Sequence, residues 1–195
     1  MRMVLLGGPA GVGKTAAARE ALRLAAGGSI LMQWIDVDAL WAHQPWRVDE
    51  TMIAMLEANL SAVIRNASSS GVDILLVTWV FQETSFHEML RRLAPDGTEI
   101  MTVQLRVNEA EWRQRFADDC SRPPIDTFFL DRYRAAQTTP ADRVIDTTGL
   151  VSSAGNSLHK SIAYLILPGK RSPSVIMKLA TGFRACRRRV ASLAS

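Results

Sequence analysis

Eight consecutive residues carry the chemistry that opens this chain. Gly8-Pro9-Ala10-Gly11-Val12-Gly13-Lys14-Thr15 fits GxxxxGK[ST] without a mismatch. Glycines permit backbone angles and close approach that a Cβ blocks. The N–H groups of Gly8, Ala10, Gly11, Val12 and Gly13 can therefore turn inward around phosphate oxygens. A helix beginning near Gly13 adds its positive end. Lys14 reaches the outer phosphates and the Thr15 hydroxyl can ligate Mg²⁺. The expected ligand is a nucleoside triphosphate with its magnesium ion.

Two further groups suit phosphoryl transfer. Asp36 and Asp38 close an apolar run. One carboxylate can hold Mg²⁺ or its waters, and the other can take the proton of an attacking hydroxyl; either can equally cap the next segment. Arg113, Arg115 and Arg122 follow downstream, the last before Pro123-Pro124. Arginine forks match phosphate, and a closing lid could carry them to the transferred group, where Arg122 and Arg115 would stabilise its charge; three arginines also make an ordinary solvated face. An aromatic stretch holds Trp34, Trp41, His43, Trp46 and Arg47, and Trp79, Phe81, Gln82 and Glu83 form a second one. Such rings can wall a pocket for a nucleoside, a sugar face or an apolar ring, or simply fill a core. His43 is either a second base or a bystander.

These groups need a frame. Strand patterns are expected over residues 3–7, 30–37, 72–78, 99–107 and 143–146, the third nearly all aliphatic and so buried on both faces. Helices are expected over 14–26, 49–70, 86–93, 109–118, 126–136 and 152–167. Met52, Leu56, Leu60 and Val63 make one apolar stripe, as do Leu158, Ile162, Leu165 and Ile166. Asn108, three residues before Glu111, marks a helix cap. Alternating strands and helices imply a parallel sheet covered on both sides. The segment 168–173 looks like a linker, dividing a domain at 1–168 from a tail at 169–195.

Three kinds of phosphate-loop protein compete. A guanine-reading GTPase needs [NT]KxD, and none of Lys14, Lys160, Lys170 and Lys178 has Asp two positions on. Motor-type ATPases use longer chains and an acidic strand end, whereas the third strand here ends Val77-Thr78-Trp79. Small kinases remain. The chain resembles the phosphate-loop nucleotide and small-metabolite kinases, such as shikimate, gluconate and antibiotic-modifying kinases. The likeness rests on GGPAGVGKT, IDVDALW, Arg115 with Arg122-Pro123, and ADRVIDTTGL at 141–150.

That resemblance implies a three-layer fold whose five-stranded parallel sheet has the order 2-3-1-4-5. It implies ATP–Mg²⁺ phosphorylating a hydroxyl of a small molecule. Asp38 would contact the acceptor as base, Arg115 would lie near the adenine, Arg122 would serve a lid, and Thr148 and Gly149 would border the base. Trp34, Trp41, Arg47 and Trp79 would line the acceptor side, and Thr15 and Asp36 would hold the metal. The chain departs from the pattern in lacking the acid of the third strand, the glycine-rich acceptor loop and the acceptor arginines of shikimate kinases. A regulatory nucleotide-binding module and a nucleic-acid 5′-hydroxyl kinase are the alternatives.

The charge bears on the last of these. The chain of 195 residues has 23 Lys+Arg against 19 Asp+Glu, but seven of the basic residues and none of the acids lie in 168–195. Taking those seven away leaves 16 against 19, a body of −3 beneath a tail of +7. A negative body argues against nucleic acid, whose phosphates need a positive track. The tail mixes its charges with Val175, Ile176, Leu179 and Phe183, so it could meet an acidic membrane surface, nucleic acid or an acidic partner, or equally be a solvated appendage or a helix packed on the body. No apolar run approaches the roughly 20 residues that span a bilayer, and the first apolar run leads into glycines, not a cleavage site. The cytoplasm is the default expectation. Cys120 and Cys186 stand apart, with no zinc or disulfide pattern.

Overall fold

The computed structural model describes residues 1–120, 122–149, 162 and 165–167. Five strands, β1 (Arg2–Gly7), β2 (Met32–Asp36), β3 (Ile74–Thr78), β4 (Glu99–Arg106) and β5 (Arg143–Asp146), form one sheet. Its order is β2-β3-β1-β4-β5, and every pairing is parallel. The order expected from the resemblance is the one observed.

Side-chain alternation sends each strand's residues to two separate cores. Val4, Leu6, Ile74, Leu76, Val103 and Leu105 meet α1 (Lys14–Ala25) and the aromatic residues of α5 (Glu109–Ala117) and α6 (Thr127–Thr138). Met3, Leu5, Leu75 and Val77 meet α3 (Glu50–Ser69) and α4 (Thr84–Leu93) on the other face. Helices thus cover both faces, in three layers.

The α3 stripe is rotated from the one expected. Leu56, Leu60, Ile64 and Ala67 are buried, whereas Met52 and Val63 are only half-buried. A helix lying flat on a sheet buries i, i+4 and i+8 with the next turn, and the sequence offered both rows. The strand expected over 30–37 ends at Asp36, because the Asp36 side chain accepts from the Asp38 amide and starts a four-residue helix, α2 (Val37–Leu40). The cap at Asn108 is present, its side chain accepting from Glu111 N at 2.8 Å. In the helix expected over 152–167, positions 162, 165 and 166 are helical, and Ile162 and Ile166 are buried. The rest of that helix, the linker, the tail and Cys186 lie outside the described residues.

The central strand ends where the phosphate loop begins, and packing there is tight. A Cβ on Gly7 would stand 1.9 Å from Gln104 Oε1 and 3.1 Å from Phe81 Cβ. Gln104 is fully buried, and its Nε2 donates to Ala136 O at 2.8 Å, so it has nowhere to swing. Gly7→Ala is expected to cost about 1–3 kcal/mol, as overpacked cores do. Urea unfolding should show a lowered midpoint with an unchanged slope.

Candidate active site

The loop after β1 has the conformation its glycines allow. Gly8, Gly11 and Gly13 have φ of 140°, 84° and 107°, angles that L side chains rarely adopt. Gly13 caps α1, so the first-turn N–H groups of that helix face the loop's concavity. Among the described residues the amides of Gly11, Gly13, Lys14 and Thr15 make no hydrogen bond, whereas Gly8 N donates to Val80 O and Val12 N to Pro9 O. Val12 is a buried packing residue as well as a loop member. The Trp112 indole donates to Ala10 O at 2.8 Å and holds the loop from above.

Lys14 folds back over this loop, its Nζ donating to Gly8 O at 2.8 Å and Pro9 O at 3.0 Å. Burial pushes its pKa down to about 8, against the pull of Asp38 and Asp36 and with a smaller push from Arg122. Lysine, both aspartates and Arg122 therefore occupy one electrostatic site.

Asp36 and Asp38 differ in surroundings. The Asp36 carboxylate accepts from Thr78 Oγ1 at 3.2 Å and from the Asp38 amide at 3.2 Å. Thr78, at the end of β3, is fully buried and receives the Trp34 indole N–H at 2.9 Å. Trp34, grouped from sequence with the other tryptophans, packs instead with the α1-side core. It is separated from Trp41 and Trp79, which belong to the opposite core. Its part is to brace Thr78 beneath Asp36. Asp38 takes the Trp79 indole N–H at 3.0 Å. Desolvation, then Asp36, raise the Asp38 carboxyl above its ordinary value; Lys14 and the indoles of Trp79 and Trp41 pull it back. Burial and a like charge alongside both disfavour its ionised form.

The donor set fits Mg²⁺ with a triphosphate. Thr15 exposes its hydroxyl at the start of α1, and Asp36 offers carboxylate oxygens held by neutral donors. Hard oxygen ligands in that number suit an ion bound chiefly through phosphates and water. Among the described residues no cluster of three or more His, Cys, Asp or Glu could hold a metal alone.

Arg122 stands beside the phosphate loop and Arg115 beside the turn after β5. Arg122 pairs with Asp119 at 2.8 Å and stacks over Phe116 at 5.0 Å. Its Nη1 is buried without a hydrogen-bond partner, 3.1 Å from where a Gly11 Cβ would stand. A buried guanidinium nitrogen rarely lacks an acceptor, and a phosphate oxygen over the loop would supply one. Arg115 grips the turn after β5, donating to Thr147 O at 2.8 Å and Thr147 Oγ1 at 3.1 Å. Glu111 accepts from Gly149 N at 2.6 Å, and Thr148 Oγ1 accepts from Asn108 N at 2.9 Å. Thr148 and Gly149 are thereby fastened beside Arg115. Arg113 is an exposed ion pair with Glu109.

Arg47 pairs with Asp49 at 3.0 Å at the start of α3. Both ring nitrogens of His43 are engaged by backbone, one at Trp41 O and the other at Arg47 O and N. His43 is thereby a staple for its loop. Sequence reasoning missed Arg132 on α6. Its guanidinium lies over Phe128, 3.4 Å from the ring centroid, and burial lowers its pKa while the negative charge of Asp38 acts the other way. Only its spacing from Phe128, one helical turn, gave any signal.

Solved structures share this fold. The fold is that of the P-loop kinases. A tunicamycin resistance protein from Deinococcus radiodurans superposes with a TM-score of 0.59 at 18% identity, over 85% of this chain and 95% of that one. A gluconokinase from Sinorhizobium meliloti gives 0.55 at 14%, over 85% and 93%. A shikimate kinase from Acinetobacter baumannii, solved with shikimate, gives 0.52 at 21%, over 88% and 96%. No protein-family model matches the sequence, and no curated protein matches it significantly. Among the described residues of this P-loop kinase fold, no helix is long and apolar enough to cross a membrane.

Proposed function

We propose that the chain is an ATP-dependent kinase that phosphorylates a hydroxyl of a small molecule. The observation that carries this is Asp38, a desolvated carboxylate held by the Trp79 indole within the field of the phosphate-loop lysine. A desolvated carboxylate beside a phosphate-binding lysine is the kind of group that clusters at catalytic sites.

In this reading the amides of Gly11, Gly13, Lys14 and Thr15 and the Lys14 ammonium bind the phosphates. Arg115, Thr148 and Gly149 border the base. Thr15 and Asp36 hold Mg²⁺, which when bound would offset charge on the β- and γ-phosphates. Asp38 accepts the proton of the acceptor hydroxyl as its oxygen attacks the γ-phosphorus. The bond from that phosphorus to the β–γ bridging oxygen breaks, and ADP leaves. Arg122 supplies the unpartnered N–H for charge on the transferring group.

The test is ADP release from ATP–Mg²⁺ with and without nucleosides, sugars, hydroxy acids and hydroxylated antibiotics, with Lys14→Ala as blank. Stimulation by one compound class is expected. Tight nucleotide binding with no stimulation by any compound would replace this reading with a regulatory nucleotide-binding module.

A further inference from the structure

A line of aromatic rings leads from the proposed base to the surface. Trp79, which donates to Asp38, is buried and contacts Phe86 at 4.5 Å and Phe81 at 5.9 Å. Trp41 stands edge-on to Trp79 at 6.3 Å, and Trp46 edge-on to Trp41 at 5.2 Å. Exposure rises along this line, from 8% at Trp79 to 50% at Trp46. An indole that exposed, followed by exposed Val48 and Ile53, is an apolar rim that folding alone does not require. The rim is also held in place. His43 stacks on Trp46 at 5.0 Å while both its nitrogens grip the backbone at Trp41 and Arg47. A ring fixed before binding loses little entropy when a ligand lands on it.

Two polar facts narrow the ligand. Trp41 Nε1 is buried and makes no hydrogen bond of good geometry, although its N–H still pulls on the Asp38 carboxyl. A buried indole N–H normally has a partner. The described cations near the wall are already engaged: Arg47 by Asp49 at 3.0 Å, and Arg132 by the Phe128 ring, 3.4 Å from its centroid. An acceptor carboxylate would need a guanidinium fork with no such commitment.

We infer that the acceptor is an uncharged molecule with a planar apolar ring, which lies against Trp41 and Trp46 and offers a hydrogen-bond-accepting atom to Trp41 Nε1 beside its reacting hydroxyl. This rests on the kinase reading for the word acceptor, but the ligand class is testable without turnover. Equilibrium dialysis of the full chain with ADP–Mg²⁺ would compare uridine, adenosine and 1-phenyl-1,2-ethanediol with gluconate and shikimate. At least one ring compound should bind, and both anions should bind more weakly. Trp46→Ala should weaken the ring compound about tenfold, in line with stacking on an aromatic platform. Trp41→Phe keeps the ring, removes the N–H, and should weaken it about fivefold. Neither residue sits in the nucleotide half of the site, so ADP binding should hold and serve as the folding control. Preference for gluconate or shikimate, failure of every ring compound to bind, or ring binding indifferent to both substitutions would overturn the inference. Trp46-dependent binding of a ring compound that never stimulates ADP release would uphold the ligand class and refute the kinase.

Discussion

Asp38→Asn is expected to lower kcat by about 10²–10⁴-fold, the range lost with a general base, while leaving the fold intact. Asparagine keeps the carbonyl oxygen that receives the Trp79 N–H, bonded at 3.0 Å in the native chain, and removes only the site that takes a proton. The pH dependence separates this role from a merely structural one. Burial and Asp36 raise the Asp38 pKa, so its deprotonated, active form is lost earlier on acidification than for an ordinary carboxylate. The acid limb of kcat should therefore lie above the usual aspartate range and vanish in the Asn variant. Trp79→Phe removes a hydrogen bond that favours the charged form and should move that limb further toward neutral pH. The stability sign is opposite to the activity sign. A carboxyl whose folded pKa is raised costs stability above that pKa, so the Asn variant should unfold at neutral pH no more easily than the native chain. Near-native turnover in Asp38→Asn would remove Asp38 from the mechanism.

Lys14→Ala is the second large effect. Removing one preorganised donor to a developing phosphate charge costs about 10²–10³-fold, and Lys14 is the loop's only full charge. Its pKa of about 8 in the nucleotide-free protein adds a measurable signature. The free enzyme binds ATP through the protonated ammonium, so kcat/KM for ATP should fall as pH rises above about 8. With nucleotide bound, the phosphates hold the proton on, and kcat should keep its value to higher pH. An alkaline limb equal in both parameters would mean that Lys14 is not the titrating group. The variant should also resist urea at least as well as the native chain at pH 7. A lysine whose pKa is lowered by desolvation carries its charge at a cost in the folded state.

The phosphate loop and the fold class were legible because each rests on local chemistry, whereas the strand order came with the family resemblance. Three glycines before Lys14-Thr15 can do little else between a strand and a helix, and five apolar runs alternating with amphipathic ones leave few topologies. The element ends were less legible. Asp36 could extend a strand or cap a helix, and the backbone chose the cap because a following amide lay in reach. Nothing in residues 34–46 says which face of the sheet each tryptophan meets. Trp34 falls on the α1 side by strand alternation, bracing Thr78, whereas Trp41 and Trp46 follow the turn of α2 to the other side. Sequence alone thus carried the expectation of a triphosphate and named the atoms that would hold it. Tertiary structure decided what stands opposite it. It brought Asp38 under Trp79, 41 positions away, and set the unpartnered Arg122 nitrogen over Gly11. Those contacts depend on how helices cross a twisted sheet and on which buried groups find partners. These are properties of packing, and no spacing along the chain encodes them.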